Sequence, residues 1–579
     1  MATQNLLPGL SLLAAAQAQT ESAEIIVKYH GELSGIAARL DALAEPLGGG
    51  FAILTLPVGN IGGLYRFKEI EYAELPKTLF PSLLESARAA CVPPVWAGQA
   101  GQTGLTGRDV LVGIIDSGIA FSHPAFLDGN GQSRVVYLWD QTANGTPPDG
   151  FLHGAEYTRG QINSALAGSP PDGMDPDMDF LGHGTAVAGI AAGGGNGGGT
   201  RGIAPEAELI AVKLGGDRRF ARTTGMMRAL HYITIRAEEL GKPVAINLSF
   251  GTNDGSHEGN SLFEAYVNEV CGRWKSVIVT GTGNEGFARH HYSGAVLSGG
   301  VTDVRFTVGP SVYSCYLTLW KNFADDFEFE LFAPSGSSAG VFNPADPFRQ
   351  TVLEGVSLAV FYGQPSFYNE SQEFYIGFSR QDLPVTRGVW TLRVSGRQSV
   401  DGRFEAWLHT LEEVGFGTAF LEPSPFFTLT LPSTTENVLS VGGYNAATDS
   451  AADFSGRGRA VENGVTKPDL TAPAVEITAP SNRGGTDVFS GTSIAAPFVT
   501  GAVALMMEWG IVRGNDPFLY GQRVKAFLRR GALRRPGIGY PDPVWGYGTL
   551  CLQKTMEILE GGDYEPGVSQ NSFSADALH

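Results

Sequence analysis

Positive charge is scarce in this sequence. Its 579 residues carry 40 Lys and Arg against 59 Asp and Glu, a formal net charge of -19. That balance argues against nucleic acid as a partner. Cysteine is scarcer: there are four, Cys91, Cys271, Cys315 and Cys551, far apart and without metal-ligand spacing. A chain of this size does not need disulfide staples, so all four are expected to be free thiols and no metal site is expected. No Lys or Arg precedes Lys28. The apolar stretch from Leu6 to Ala18 therefore lacks the positive region of a secretory signal, and a cytoplasmic location is favoured over secretion. No run long enough to span a bilayer is apparent, and no membrane partner is expected.

What is abundant is glycine, 78 residues, together with short aliphatic runs. Residues 110–115, 208–213, 244–248 and 277–280 are β-branched or aliphatic, with helical patterns between them such as 223–239. This alternation is the signature of a parallel sheet covered on both faces, and ligands of such sheets bind beyond the carboxyl ends of the strands. The length calls for two or three domains.

Three stretches carry chemistry. Gly491-Thr492-Ser493 opens an apolar run, Ala495 to Leu505, suited to a buried helix with a serine at its entrance. Alone it reads first as a helix cap, because Ser and Thr routinely accept a backbone N–H there. Val110 to Ile115 leads into Asp116, a strand ending on a carboxylate, and Gly182-His183-Gly184-Thr185 opens a small-residue helix. With these, an acid, a histidine and a serine stand in the order Asp, His, Ser along the chain. In these motifs and in that order the sequence resembles the subtilisin-like serine proteases. The resemblance implies that Asp116 orients His183, that His183 takes the proton of Ser493, and that Ser493 is the nucleophile. Val277 to Gly286 matches the strand that delivers the family's oxyanion asparagine, here Asn284. Ser249, Phe250 and Gly251, and Gly215 and Gly216 with Asp217 and Arg218, match the segments that bracket an extended substrate by main-chain pairing. Asp179, an acid four residues before the histidine, fits the family pattern and would favour a basic substrate side chain. The acidic run Asp172, Asp175, Asp177 and Asp179 lacks a full calcium-loop pattern and reads as a solvated loop. His123, before Pro124, reads as structural.

The remaining organisation follows from patterning. Residues 1–23 form a leader. Residues 24–84 alternate strands and a helix over 33–43, like the inhibitory prodomain of subtilases, and the catalytic domain is expected over 85–297 and 421–561. Between them, residues 298–420 carry short alternating strands with Gly, Pro, Asn and Asp turns, which argues an antiparallel sandwich, a jelly roll. The expected fold class is therefore α/β: a subtilisin-like parallel sheet with helices on both faces, plus a small α+β prodomain and an inserted all-β jelly roll. Residues 562–579 are a polar tail. This layout, with Gly283-Asn284-Glu285-Gly286 leading to His290-His291-Tyr292, is similar to the Csp-type subtilases of clostridia. That likeness implies a spore-associated protease that activates the precursor of a cortex-degrading hydrolase. Autocleavage is expected after Leu83 or Leu84, with the prodomain staying bound; the other partners are protein substrates, and no cofactor is expected. Two rivals stand beside the enzyme reading: a pseudoprotease with a vestigial triad, and a jelly-roll binding protein, for instance one that holds a glycan on the aromatics of its insert.

Overall fold

The computed structural model describes residues 22–76, 78–79, 88–98, 104–175, 178–196, 201–214, 221–345, 347–459 and 467–561. The centre is a nine-stranded sheet whose middle strands, Leu111–Asp116, Glu208–Lys213, Val244–Leu248 and Ser276–Gly281, are parallel. These strands are buried on both faces, so their sequences are continuous aliphatic runs with no polar alternation. Val135–Asp140 and the antiparallel strand Ala155–Thr158 extend one side, and Leu439–Asn445 extends the other. The helices His183–Ala192 and Thr492–Met507 pack on one face. Thr223–Leu240 and Leu262–Cys271 cover the opposite face.

The stretch Thr492–Val512 is long and apolar enough to cross a bilayer by length and composition, contrary to the expectation that no such run exists. It is 94% buried inside the protein, however, and forms the spine of the core. The apolarity that would suit lipid is here satisfied by two layers of protein.

The small N-terminal unit is a four-stranded antiparallel sheet in the order Leu43–Gly48, Phe51–Pro57, Ser22–Tyr29, Ile70–Glu74. Strand alternation gives it two apolar faces. Ile25, Val27, Leu54 and Leu56 pack on its own helix, Ser34–Leu40, while Ile26, Ile53 and Tyr72 pack on the catalytic helices. The helix ends earlier than the expected residue 43, because Asp41 turns left-handed (φ 52°) and Leu43 starts a strand that the sequence pattern does not announce. Polar contacts fasten this unit to the catalytic helices. Arg228, fully buried on the helix Thr223–Leu240, pairs with Glu45 at 2.8 Å and Glu24 at 2.6 Å. Glu74 accepts the N–H of Phe263 at 3.1 Å, at the N-terminus of the second helix, where a carboxylate is electrostatically favoured.

The inserted unit is an antiparallel sandwich of a six-stranded and a five-stranded sheet. Its first strand, His291–Ala295, lies before the expected start at 298 and pairs with Arg403–Leu408. The chain alternates between the two sheets so that Val301–Val308 and Gly388–Gln398 are neighbours in one, and Ser314–Asn322 and Arg403–Leu408 in the other. That interleaving ties the two sheets into one sandwich, as a wound antiparallel fold requires. Its aromatics Phe306, Phe329, Phe374, Trp390 and Phe404 fill the space between the sheets.

The expectation of four free thiols fails for two of them. Cys91 and Cys551, 460 residues apart in sequence, form a disulfide. The short helix Pro93–Ala97 and the C-terminal helix Leu552–Leu559 pack together and bring the two sulfurs into reach, which no local spacing announces. Cys271 and Cys315 are free and buried, and burial pushes each thiol up to about 12.

Candidate active site

Each reactive side chain sits at the end of an element. Asp116 is the last residue of its strand, His183 the first of its helix, and Ser493 lies in the first turn of the long apolar helix. Close approach is made possible by glycine. A Cβ on Gly184 would lie 2.1 Å from the carbonyl of Gly118 and 3.0 Å from Cβ of Asp116, so only glycine lets the histidine helix press against the acid. Likewise, a Cβ on Gly281 would lie 2.7 Å from the backbone of Thr492. Pro497 stands inside the serine helix and has no N–H to return to the carbonyl four residues back, that of Ser493. The Ser249 hydroxyl donates to that carbonyl instead, at 3.0 Å.

These placements bring three distant residues together. His183 Nδ1 lies 2.5 Å from Asp116 Oδ1, and His183 Nε2 lies 3.1 Å from Ser493 Oγ. Asp116, His183 and Ser493 are 0%, 1% and 3% exposed. Asp116 Oδ1 also accepts the backbone N–H of Ser117 at 2.7 Å. A carboxylate only accepts, so Nδ1 of His183 carries the hydrogen and Nε2 presents a lone pair to the hydroxyl. Such a trio can move a proton from the serine to the imidazole while the acid steadies the resulting cation. Asn284 stands beside it: Oδ1 accepts the N–H of Thr492 at 3.1 Å and its hydroxyl at 3.3 Å. This fixes Nδ2 as the outward face of the amide.

The substrate-edge expectations divide. Ser249 is buried, hydrogen-bonded to Asn247 at 2.6 Å and, as above, to Ser493. Phe250 stands edge-on to the His183 ring, with centroids 6.2 Å apart. A Cβ on Gly251 would lie 2.3 Å from the Thr430 hydroxyl, so this position is closed by packing. Gly215, Gly216, Asp217 and Arg218, like Leu83 and Leu84, lie outside the described residues. Next to the first group, Ala221–Arg222 pairs antiparallel with Thr78–Leu79, a short two-stranded ribbon. Asp179 is a correction. It is 1% exposed and faces inward, accepting Ser117 Oγ at 2.7 Å, Gly182 N–H at 2.9 Å, and Thr185 N–H and hydroxyl at 2.8 and 2.6 Å. It ties the histidine helix to the Asp116 strand and has no oxygen left for a substrate. Asp177, in the same acidic run, lies outside the described residues. His123 is buried, accepting the N–H of Ala125 and bonding the Gly485 carbonyl, as a structural residue does.

Two groups of the site escaped sequence reasoning. Glu285 is buried and takes His290 Nδ1 at 2.7 Å. Glu412, from the inserted sandwich, reaches Asn284 Nδ2 at 3.3 Å. Glu285 adjoins Asn284 in the sequence and was visible there. Glu412 lies 128 residues away on a short helix with no motif of its own.

Comparison with known proteins finds relatives over most of the chain. The model of the subtilase family matches residues 107–309 and 425–548, and the Csp protease B prodomain model matches residues 2–77. The solved structure of the Clostridium perfringens CspB protease is 36% identical, with a TM-score of 0.74; the match covers 83% of this chain and 98% of that one. The minor extracellular protease Vpr of Bacillus subtilis is 23% identical over 571 residues, 93% of this chain and 62% of Vpr. A PII-type proteinase of Lacticaseibacillus paracasei is 24% identical over 520 residues, 80% of this chain. The chain therefore spans 62% of the length of the first curated relative and 25% of the second.

Proposed function

The chain belongs to the subtilase family, as a serine protease with a Csp-type prodomain, and we propose that it hydrolyses peptide bonds through Asp116, His183 and Ser493. The observation that carries this reading is the pair of contacts along one line, carboxylate to imidazole at 2.5 Å and imidazole to hydroxyl at 3.1 Å. In the first step Ser493 Oγ bonds to the substrate carbonyl carbon as its proton passes to His183 Nε2. The carbonyl oxygen becomes negative and accepts hydrogen bonds from Asn284 Nδ2 and the N–H of Ser493. His183 then gives its proton to the departing amine, the C–N bond breaks, and an acyl-enzyme remains. Water, losing a proton to His183, releases the acid in the same way and restores Ser493.

The first substrate in this reading is the chain itself, cut after Leu83 or Leu84. The ribbon of Thr78–Leu79 on Ala221–Arg222 supports it, because the chain leading to those leucines already runs as a strand beside the catalytic domain. The buried Arg228 contacts support retention of the prodomain afterwards. The physiological substrate proposed is a precursor protein of a spore-cortex hydrolase, on the likeness to the CspB protease. A serine-directed fluorophosphonate tests the chemistry. Stoichiometric labelling of the purified protein, absent in Ser493→Ala, is expected; no labelling of the folded protein would favour the vestigial-triad alternative. Under the self-processing reading, wild type gives two co-eluting chains and Ser493→Ala one.

A further inference from the structure

The amide of Asn284 is held from two sides, and one of them belongs to the inserted sandwich. Thr492 fixes Oδ1, which leaves Nδ2 facing Oε1 of Glu412 at 3.3 Å. Glu412 lies on the helix Leu411–Val414, which directly follows the strand Arg403–Leu408. That helix is pinned to the catalytic domain. The N–H of Leu411 donates to Glu285 Oε1 at 2.8 Å, and Asn253 Nδ2 bridges Glu285 Oε2 and the Leu408 carbonyl, each at 3.1 Å. Glu412 is thus an exposed side chain on an anchored stretch of backbone.

We infer that Glu412 is a brake on the oxyanion site: ionised, it occupies one amide hydrogen of Asn284 and sets a negative charge beside the point where the substrate oxygen becomes negative. Like charges a few ångströms apart repel, and more strongly once bound substrate displaces the water around them. The barrier therefore rises when Glu412 is ionised and falls when it is neutral. Its surroundings favour the neutral form. Crowding by the protein and then the charge of Glu285 push its carboxyl up from the ordinary carboxylate range, while the Asn284 amide and the His290 charge pull it partly back. Glu412 is an exposed residue, however, and its open, solvent-facing side moderates the shift. Beside it Phe287 and Phe416 stand exposed with ring centroids 5.5 Å apart. A substrate that covers this open side removes the remaining water, drives Glu412 to its neutral form and releases the brake. The insert would in this way couple the oxyanion site to the substrate surface next to it.

This inference rests on Asn284 being the oxyanion donor, so the two are tested together on a fluorogenic peptide. Glu412→Gln keeps the shape and removes the charge. Its kcat at pH 8 should be about 10-fold above wild type, with KM changed less than about twofold, because the charge acts in the transition state. The advantage should shrink as pH falls and the wild-type carboxyl takes its own proton. Glu412→Ala should also be faster, and both variants should label faster with a fluorophosphonate. Asn284→Ala should lower kcat by about 10²–10³. If it does not, the oxyanion assignment fails. If it does, but both Glu412 variants are equal to or slower than wild type at pH 8, Glu412 is only an anchor and the brake is overturned.

Discussion

Among the described residues, two acid–histidine pairs are fully buried on both sides, and they differ in what the imidazole can do. Asp116 and His183 are 2.5 Å apart, Glu285 and His290 2.7 Å apart. The difference is in the second ring nitrogen. His183 Nε2 faces the hydroxyl of Ser493, which can donate to it. His290 Nε2 faces the carbonyl of Thr418 at 2.8 Å, which can only accept. Acceptors at both ring nitrogens favour the doubly protonated, cationic form of His290. Although burial opposes the charge, the carboxylate of Glu285 and then the carbonyl raise its pKa above the ordinary value. A histidine that must hold its proton cannot act as a base. The first pair has the geometry that the proposed chemistry needs; the second is an internal clamp between the catalytic domain and the inserted sandwich.

The largest effects should break the pairs apart by function. Ser493→Ala and His183→Ala should each lower kcat by about 10⁴–10⁶, and the double variant should be little worse than either, because the residues act as a unit. Peptide hydrolysis by active-site-titrated enzyme checks this; losses that multiply would show independent roles. His290→Ala should instead cost stability, about 3–5 kcal/mol in urea unfolding, because it leaves Glu285 buried without its counter-charge. Its kcat per folded molecule should fall less than about tenfold, since His290 touches no reacting atom.

A pH scan sharpens the contrast. The raised pKa of His290 means that its contribution to stability is complete below the unfolded value near 6.5 and is lost as pH rises through the folded value. Wild type should show this alkaline loss in its unfolding midpoint, and His290→Ala should not. The smallest effect expected is that of Ser249→Ala. It removes two neutral hydrogen bonds, to the carbonyl of Ser493 and from the Asn247 amide, each worth about 0.5–1.5 kcal/mol, so kcat should fall about two- to tenfold with the fold intact.

Much of the site was legible because its chemistry is tied to local sequence. A strand must end where Asp116 begins to act, and the small residues after His183 and around Ser493 are those that let helices approach the sheet. Asp179 shows the limit of such reading. Its spacing to His183 is plain in the sequence, but spacing does not say which way a carboxylate points. It turns inward because the first turn of the histidine helix and the neighbouring Ser117 offer it four donors. The start of the sandwich escapes the pattern for a similar reason. His291–Ala295 is short and partly polar, and only its pairing with Arg403–Leu408 makes it a strand.

The sequence by itself determined the parallel sheet, the alternating strands of the insert and the order of acid, histidine and serine, because each is written in periodicity or in residues adjacent along the chain. Tertiary structure alone decided what depends on distant partners. The Cys91–Cys551 bond spans 460 residues, Arg228 meets Glu24 and Glu45 across a domain boundary, and Glu412 meets Asn284 from another sheet system. Periodicity and motifs report a residue's own element. Which groups from two elements share a hydrogen bond is fixed only when both elements pack against the same core.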